Sequence, residues 1–357
     1  MPLEQYGFSP AMLAAAGARG GANELPARVT AVHKERYALV CEHGECFARL
    51  KASTYFNDQT EDFPTTGDFV LIQHNPAGDS VLTHTLPRRS YFARRNPTLG
   101  QGEQAVAANF DYVFIMQSLN FDLNPKRLER YLTLSWQSGA VPVVILTKAD
   151  LVENCEEQAL DVRRVAAGVD VYAISAKTGE GMDALHALLQ PGRTIVLLGS
   201  SGVGKSSFVN ALAGEEIMAV NEIREDDSKG RHTTTHRQLL LLPSGVLVID
   251  TPGMRELGMV DADAGLTEAF ADVERFFGQC RFTDCRHESE PGCAVKAAIA
   301  RGDLPRQRWE SYQKLQRESR YSGNQAQYLK QKQQRFKDIA KFSKQLGGKK
   351  PGAYPDD

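Results

Sequence analysis

A glycine-rich stretch in the second half of the chain has the residue types that bind phosphate groups. Backbone N–H groups of a Gly-x4-Gly-Lys-Ser loop point at a β-phosphate, the lysine reaches the β- and γ-phosphates, and the serine ligates Mg²⁺. The stretch follows the strand-like "TIVLL" and precedes the helix-like "SSFVNALAG", the context that the motif requires. The predicted phosphate loop consists of Gly199, Ser200, Ser201, Gly202, Val203, Gly204, Lys205, Ser206 and Ser207.

Two segments upstream of this loop have the residue types that read a guanine base. In "TKAD", Asp150 could accept hydrogen bonds from the N1–H and the exocyclic amine of guanine, which adenine does not offer, and the Lys148 stem could lie along the ring. In "ISAK", at the end of the next strand, a backbone N–H could meet the guanine O6. Because adenine does not offer the donors from which Asp150 could accept, Asp150 disfavours ATP as the substrate. The predicted base contacts are Thr147, Lys148, Ala149, Asp150, Ser175, Ala176 and Lys177.

Two segments downstream of the phosphate loop could respond to a γ-phosphate. "VLVIDTPG" supplies Asp250, which could hold Mg²⁺ through water, and Gly253, whose N–H could sense the γ-phosphate. "KGRHTTTH" is a polar segment of a type that orders around a nucleotide. Within it, spacing favours Thr234 as a magnesium ligand beside Ser206, and the alternatives are Thr233 and Thr235.

The residue that positions the attacking water is not where a Ras-like domain has it. In such domains a Gln follows the glycine of the second switch, but this chain has Met254 there. Because an apolar side chain cannot position water, we expect slow hydrolysis by the isolated protein. His232 is the candidate that orients or deprotonates water once a partner orders the loop, and His236 is the alternative.

The order of these elements differs from that of a Ras-like domain, because both base-reading segments precede the phosphate loop and both switch segments follow it. Strands and helices keep their local roles if the old termini are joined and new ones are opened elsewhere. A permuted chain is therefore compatible with the same nucleotide site.

A cluster of cysteines near residue 285 has the spacing of a metal site. The candidate ligands, all within fourteen residues, are Cys280, Cys285, His287 and Cys293. Three thiolates and one imidazole fill a tetrahedral shell, so Zn²⁺ there would be structural. Cys41, Cys46 and Cys155 lack such spacing, and no nearby histidine has a persuasive spacing to the first two. We therefore expect one zinc per chain.

The surrounding segments predict three kinds of architecture. From about residue 110, strands alternate with helices, which predicts a mostly parallel sheet covered on both faces. Asn124 as a cap and Pro125 at the first helical position predict a helix over "KRLERYLTLSWQ". Residues 27–87 contain short β-like runs that predict a small antiparallel barrel or sandwich of about five strands. The following "RRSYFARR" is either an RNA contact or a linker whose aromatic residues pack between domains.

The charge is distributed unevenly along the chain. Residues 305–350 contain thirteen Lys or Arg and three Asp or Glu, a local net of +10, whereas the whole chain carries −2. Such segregation indicates either a basic arm for a polyanion or a solvated tail. No apolar run approaches the length that spans a bilayer, and the short "AMLAAAGA" follows an acidic Glu4, so we expect neither a membrane helix nor an export signal.

The combination of "TKAD", "SAK", "GSSGVGKSS", "GRHTTT", "DTPG" and Cys-x4-Cys-x-His-x5-Cys, in this order, resembles the RsgA (YjeQ) family of ribosome small-subunit-dependent GTPases, over residues 27–345. The resemblance implies an OB-fold that contacts ribosomal RNA, a circularly permuted P-loop GTPase domain and a C-terminal helical zinc domain. It also implies late maturation of the small (30S) subunit in the bacterial cytoplasm, with contacts to 16S rRNA and ribosomal proteins. Hydrolysis of GTP to GDP would be stimulated by that subunit, and the "GRHTTT" pattern favours His232 as catalytic.

The expected division of the multi-domain α/β chain is as follows: a flexible arm over 1–26, the OB-fold over 27–95, the GTPase domain over 100–265, a zinc-binding helical domain with a basic helix over 266–345, and a disordered tail over 346–357. We expect a monomer. The alternative function is an RNA-binding assembly factor in which the nucleotide sets conformation and hydrolysis is incidental.

Overall fold

Most of the strands belong to one sheet that runs through two different architectures. A computed structural model of the chain describes residues 3–21, 23–57, 62–95, 103–120, 122–219, 237–250 and 262–320. In these ranges, eleven strands are joined edge to edge, and two more form a separate hairpin. One end of the large sheet closes into a barrel, and the other end is an open, mostly parallel sheet.

Five strands close the barrel: β1 (Leu25–Val32), β2 (Tyr37–Cys41), β3 (Gly44–Leu50), β4 (Phe69–Gln73) and β5 (Ser80–Thr85). Their order is β1-β2-β3-β5-β4, and a pairing of β4 with β1 closes the ring. β3 and β5 run parallel, while the other neighbours run antiparallel. Apolar residues that alternate along the strands, such as Val29, Leu39 and Ile72, are buried in its interior. The predicted five-stranded barrel is therefore confirmed as an OB-fold.

Six strands form the open sheet: β8 (Tyr112–Ser118), β9 (Val141–Thr147), β10 (Val171–Ala173), β11 (Thr194–Leu198), β12 (Gln238–Leu241) and β13 (Leu247–Asp250). Their order is β10-β9-β8-β11-β13-β12, and only β12 among them runs antiparallel to its neighbour. On β8, Val113 and Ile115 belong to one apolar cluster and Phe114 and Met116 to another. Both faces are thus covered, and the predicted mostly parallel sheet is confirmed.

The helices are α1 (Pro10–Arg19), α2 (Pro125–Gln137), α3 (Cys155–Val165), α4 (Lys205–Ala213), α5 (Asp263–Ala269), α6 (Ala271–Glu274), α7 (Ala294–Arg301) and α8 (residues 306–320). α2 begins as predicted, because Asn124 Oδ1 accepts a hydrogen bond from Arg127 N at 3.0 Å and Pro125 occupies the first position. α2 and α3 contribute to the cluster on one face of the open sheet, and α4 contributes to the other. In the described ranges, every helix is too short or too polar to cross a bilayer.

The N-terminal segment differs from the flexible arm predicted for residues 1–26. A short 3-10 turn (Leu3–Tyr6) and α1 occupy residues 3–19, and Met12 and Ala16 are buried against Phe69 and Leu71 of the barrel. Ser9 caps the helix, since its hydroxyl accepts a hydrogen bond from Met12 N at 3.4 Å. Alanine favours helix, and burial of one short apolar face holds it in place.

The "RRSYFARR" segment is part of the separate hairpin. Its strands are β6 (Tyr91–Arg95) and β7 (Glu103–Ala108). Phe92 is buried and stacks on Phe110 with ring centroids 4.9 Å apart. The Arg88 guanidinium donates to both carboxylate oxygens of the buried Asp68, at 2.9 and 2.8 Å. Of the two interpretations left open, internal packing therefore fits Phe92, and Arg88 is engaged within the protein.

A fully buried arginine lies where the barrel meets the open sheet. Arg28 of β1 donates to the carbonyls of Gly67, Tyr6 and Asn109 and to Thr194 Oγ1, which begins β11. Burial lowers its pKa to about 9, so the guanidinium remains charged at neutral pH. A second joint lies nearby, where Ala31 of β1 is the register partner of Gln238 of β12.

A second buried arginine joins the C-terminal helices to α2, which covers one face of the open sheet. Arg308 of α8 donates to Glu129 of α2 at 2.9 Å and to Asp272 of α6 at 2.8 Å. The side chains of Arg308 and Glu129 are only 8% and 5% exposed. A half-buried pair with greater exposure, Arg130 and Glu318, connects α2 and α8 at 2.7 Å, and its side chains are 28% and 35% exposed.

We expect Arg308→Met to lower the free energy of unfolding by roughly 3–5 kcal/mol, because it leaves the Glu129 carboxylate buried without its partner. Arg130→Met is the matched control on the same pair of helices, and we expect a loss of about 0–1 kcal/mol. Urea unfolding followed by tryptophan fluorescence compares the two variants. Equal losses of unfolding free energy in the two variants would show that burial does not increase the contribution of the Arg308–Glu129 pair to stability.

Candidate functional site

The phosphate loop connects β11 to α4 at the carboxyl edge of the open sheet. Gly202 and Gly204 have φ of 73° and 105°, which a residue with a Cβ rarely adopts. A Cβ on Gly199 would lie 2.8 Å from Met116 O of the neighbouring β8, so only a glycine at position 199 lets the loop pass this close to the strand. The loop therefore brings backbone N–H groups and the N-terminus of α4 together at one point, as binding of an anion requires.

Polar side chains hold the loop in this shape. Lys205 Nζ donates to the carbonyls of Gly199 and Ser200, at 3.0 and 2.7 Å. The Ser200 hydroxyl donates to Asp122 Oδ2 at 2.5 Å, and Asp122 also pairs with Arg127 at 2.7 Å. Sequence reasoning missed Asp122. Its position after β8, the strand next to β11, is the only signal that could have drawn attention to it.

The predicted base-reading segment contacts the phosphate loop directly. Thr147, the last residue of β9, donates from Oγ1 to Val203 O at 2.6 Å and is buried. Lys148 then adopts a left-handed conformation with φ of 62°, and Asp150 follows as an exposed residue. The two segments are far apart in the sequence, yet β8 alone separates β9 from β11, so their ends meet at one edge.

The "ISAK" segment lies beside the first base-reading segment. Ala149 N donates to Ile174 O at 3.1 Å, which ties it to the end of β10. Ser175 is buried, and its Oγ accepts a hydrogen bond from Thr178 N at 3.2 Å. This hydrogen bond holds residues 175–178 in a tight turn, which fixes the positions of their backbone N–H groups. Ala176 is half-buried and Lys177 is exposed on the same turn.

Asp250, the last residue of β13, is half-buried beside β11, where Ile249 is the register partner of Val196. Its carboxylate is therefore on the same edge as the phosphate loop. The other residues predicted around the γ-phosphate lie outside the described residues: His232, Thr233, Thr234, Thr235, His236, Gly253 and Met254.

Thr147→Val tests the contact between the two loops. We expect GTP affinity to fall by about 10-fold to 100-fold, because Val203 O loses its donor and an unsatisfied buried acceptor costs about 1–3 kcal/mol. Thr147→Ser retains the hydroxyl and is the matched control, with affinity near that of the unmodified protein. Equilibrium binding of a fluorescent GTP analogue measures both. Equal affinities for the two variants would contradict a role for this hydrogen bond.

The four predicted metal ligands are brought together. His287 Nδ1 lies 3.5 Å from Cys280 Sγ, 3.6 Å from Cys285 Sγ and 3.4 Å from Cys293 Sγ. A tetrahedral zinc, with Zn–S of ~2.3 Å and Zn–N of ~2.0–2.1 Å, separates sulfur from nitrogen by about 3.5 Å. The donor set and its dimensions therefore fit Zn²⁺.

The surroundings of the cluster fix its ligands. Phe277 stacks on His287 at 4.6 Å, and burial lowers the pKa of His287, which favours the neutral imidazole that binds metals. Ala294 N donates to Cys280 Sγ at 3.3 Å. The Glu290 carboxylate accepts from backbone N–H groups of residues 286, 288 and 289, at 2.9–3.0 Å. Hydrogen bonds from backbone N–H groups, including its own, lower the pKa of Glu290 to about 2.

A mostly parallel sheet with a Gly-Lys-Ser loop after β11, and the predicted base-reading segments after the earlier β9 and β10, is the arrangement of a circularly permuted P-loop GTPase. A family model described as "RsgA GTPase" matches residues 85–260. The small ribosomal subunit biogenesis GTPase RsgA 1 of Listeria innocua serovar 6a is 46% identical, over 96% of this chain and 96% of the relative. Another relative, the small ribosomal subunit biogenesis GTPase RsgA of Streptomyces avermitilis, is 44% identical over 89% and 86%. The chain belongs to the RsgA GTPase family.

Solved structures agree with this assignment. The crystal structure of YjeQ from Thermotoga maritima matches with a TM-score of 0.61 and 26% identity, over 82% of this chain and 97% of that chain. YloQ, described as a circularly permuted GTPase, matches with a TM-score of 0.56 over 83% and 96%; at 24% identity it supports the fold alone.

Proposed function

We propose that this protein hydrolyses GTP to GDP and phosphate as a late maturation factor of the small ribosomal subunit, and that the subunit stimulates its hydrolysis. The observation that carries the proposal is the 2.6 Å hydrogen bond from Thr147 to Val203 O, which ties the guanine-reading segment to the phosphate loop. Support for the ribosomal role comes from relatives at 46% and 44% identity that carry this activity in their names.

The residues present suit GTP with Mg²⁺. Asp150 would read the base, and Lys205 would turn from the loop carbonyls to the β- and γ-phosphates. Ser206, in the first turn of α4, and Thr234 are the proposed magnesium ligands, with Asp250 acting through water. Bound Mg²⁺ neutralises charge that develops on the phosphates. Gly253 would donate its N–H to the γ-phosphate, and His232 would orient or deprotonate the attacking water.

We further propose that one structural Zn²⁺ binds Cys280, Cys285, His287 and Cys293. The OB-fold over 27–95 and the basic helix of the zinc-binding helical domain over 266–345 would contact 16S rRNA and ribosomal proteins. The local net charge of +10 over 305–350 supports contact with a polyanion. The GTPase domain would span 100–265. Since ribosomes assemble in the bacterial cytoplasm, we place a monomeric protein there.

His232→Ala tests the catalytic assignment. We expect subunit-stimulated turnover to fall by about 10²-fold to 10⁴-fold, the usual contribution of a positioned general base, with GTP affinity unchanged. His236→Ala is the matched control on the same segment, and its stimulated turnover should remain near normal. Turnover by His232→Ala that equals that of the unmodified protein would exclude this role.

The alternative function gives a different result in the same assay. If the nucleotide only sets conformation, purified small subunits will leave the GTPase rate almost unchanged. Cosedimentation with small subunits in GDP and in a non-hydrolysable GTP analogue then shows whether the nucleotide state still controls binding. We expect strong stimulation and tighter binding with the analogue.

A further inference from the structure

Two cysteines and a histidine meet at one end of the OB-fold. The ligand atoms of Cys41, Cys46 and His74 all lie within 4.8 Å of one another. None of these residues takes part in the nucleotide site or in the C-terminal cluster. Spacing in the sequence did not point to His74 as a partner of the two cysteines, because His74 follows β4 whereas the cysteines lie in β2 and β3.

Strand pairing explains how the three residues converge. In the β2–β3 hairpin, Cys46 is the register partner of Leu39 and Cys41 that of Gly44, so both sulfurs are on the face that points into the barrel. β5 pairs with β3 on one side and with β4 on the other. The end of β4, and with it His74, is thereby brought beside the hairpin.

The surroundings of the cluster suit a bound ion. Cys41 is fully buried, while Cys46 and His74 are half-buried, so the site is reached from the surface without unfolding the barrel. Ser80 is buried; its Oγ accepts from Asn75 N at 3.1 Å and lies 3.5 Å from His74 Nδ1. A hydroxyl in this position orients a ligating imidazole.

The chemistry of the three side chains selects the class of ion. Two thiols and an imidazole form a soft donor set without a carboxylate, which favours zinc-like ions and disfavours Mg²⁺ and Ca²⁺. Tetrahedral zinc separates its sulfur and nitrogen ligands by about 3.5–3.8 Å, so side-chain shifts of about 1 Å would close the cluster around one ion.

We propose that Cys41, Cys46 and His74 form a second metal site that binds Zn²⁺ through three protein ligands, with the fourth position taken by water or another small ligand. The ion cross-links the β2–β3 hairpin to the segment after β4. Unlike the closed Cys3His cluster, this site has an open position and is therefore more readily exchanged.

Metal content of the full-length chain tests the proposal. The protein is loaded with zinc under reducing conditions with a non-thiol reductant, desalted and analysed by mass spectrometry of the metal. In place of the single zinc expected from sequence spacing, we expect two zinc ions per chain, and one in both Cys46→Ser and His74→Ala. Cys155→Ser, a half-buried cysteine outside both clusters, is the matched control and should retain two. Circular dichroism and GTP binding verify that each variant is folded.

Two results would overturn the proposal. One is a single zinc in the unmodified chain under these conditions, and the other is a second zinc that survives both substitutions. Thiol titration of the denatured chain, prepared without reductant, distinguishes a competing chemistry. Loss of two titratable thiols in the unmodified chain but not in Cys46→Ser, together with one bound zinc, would assign Cys41 and Cys46 to a disulfide.

Discussion

Replacing Asp150 by asparagine is expected to weaken GTP binding by about 10²-fold to 10³-fold and to raise affinity for xanthosine triphosphate. In the proposed site the carboxylate would accept from two donors of guanine, and hydrogen bonds to a charged group contribute about 1.5–3 kcal/mol each. The asparagine amide accepts only one of them and turns its own donor toward the exocyclic amine. Xanthine has a carbonyl oxygen there, which matches this donor.

Competition of GTP, ATP and xanthosine triphosphate against a fluorescent guanine nucleotide measures the change. Asp183→Asn is the matched control, since its side chain is fully exposed in the same domain and loses the same charge. A preference for GTP over ATP that is unchanged in Asp150→Asn would exclude the base-reading role of Asp150. It would also remove the main argument against ATP as the substrate.

Replacing Cys293 by serine is expected to abolish zinc binding at the C-terminal cluster. Structural zinc sites contribute about 10–16 kcal/mol in small zinc-binding peptides at neutral pH, so one missing thiolate has a large effect. Cys293 is buried at the start of α7, and Gly292 O accepts from Arg281 N at 3.1 Å. Loss of the ion should therefore expose residues 280–293 to proteases.

Zinc content and limited proteolysis measure this effect, and Cys155→Ser again provides the control. GTP affinity should remain close to normal because the cluster lies outside the nucleotide site. A Cys293→Ser variant with undiminished zinc would contradict the assignment. Combined with Cys46→Ser, the substitution should leave a chain without zinc.

Local patterns predicted those features whose determinants are close together in the sequence. The glycines and the lysine of the phosphate loop lie in one short stretch of sequence. Asn124 and Pro125 determine the start of α2 within four residues. Likewise, the spacing of the C-terminal cysteines was sufficient because one short loop holds all four ligands. These predictions needed no knowledge of the tertiary fold.

Features that depend on tertiary contacts were missed. α1 is held by burial against Phe69 and Leu71, which the Ala-rich sequence does not reveal. Asp122 acquires its contact with Ser200 only because β8 and β11 are neighbours. The approach of His74 to the β2–β3 hairpin results from the order of strands in the barrel. In each case the partner is distant in sequence, and only the topology brings it near.

The joint between the barrel and the open sheet has a mechanical consequence. After "KGRHTTTH", the proposed first switch, the chain continues into Arg237, whose carbonyl accepts from Thr66 Oγ1 at 3.3 Å, and then into β12. After "DTPG", the proposed second switch, the chain continues to Ala262, whose N–H donates to Ser319 Oγ at 3.0 Å. Each proposed switch is thus followed by a residue that is held by a hydrogen bond, Arg237 at the OB-fold and Ala262 at α8. We therefore expect loss of the γ-phosphate to affect both proposed RNA-contacting regions in one step, the OB-fold beside Thr66 and the C-terminal helices beside Ser319.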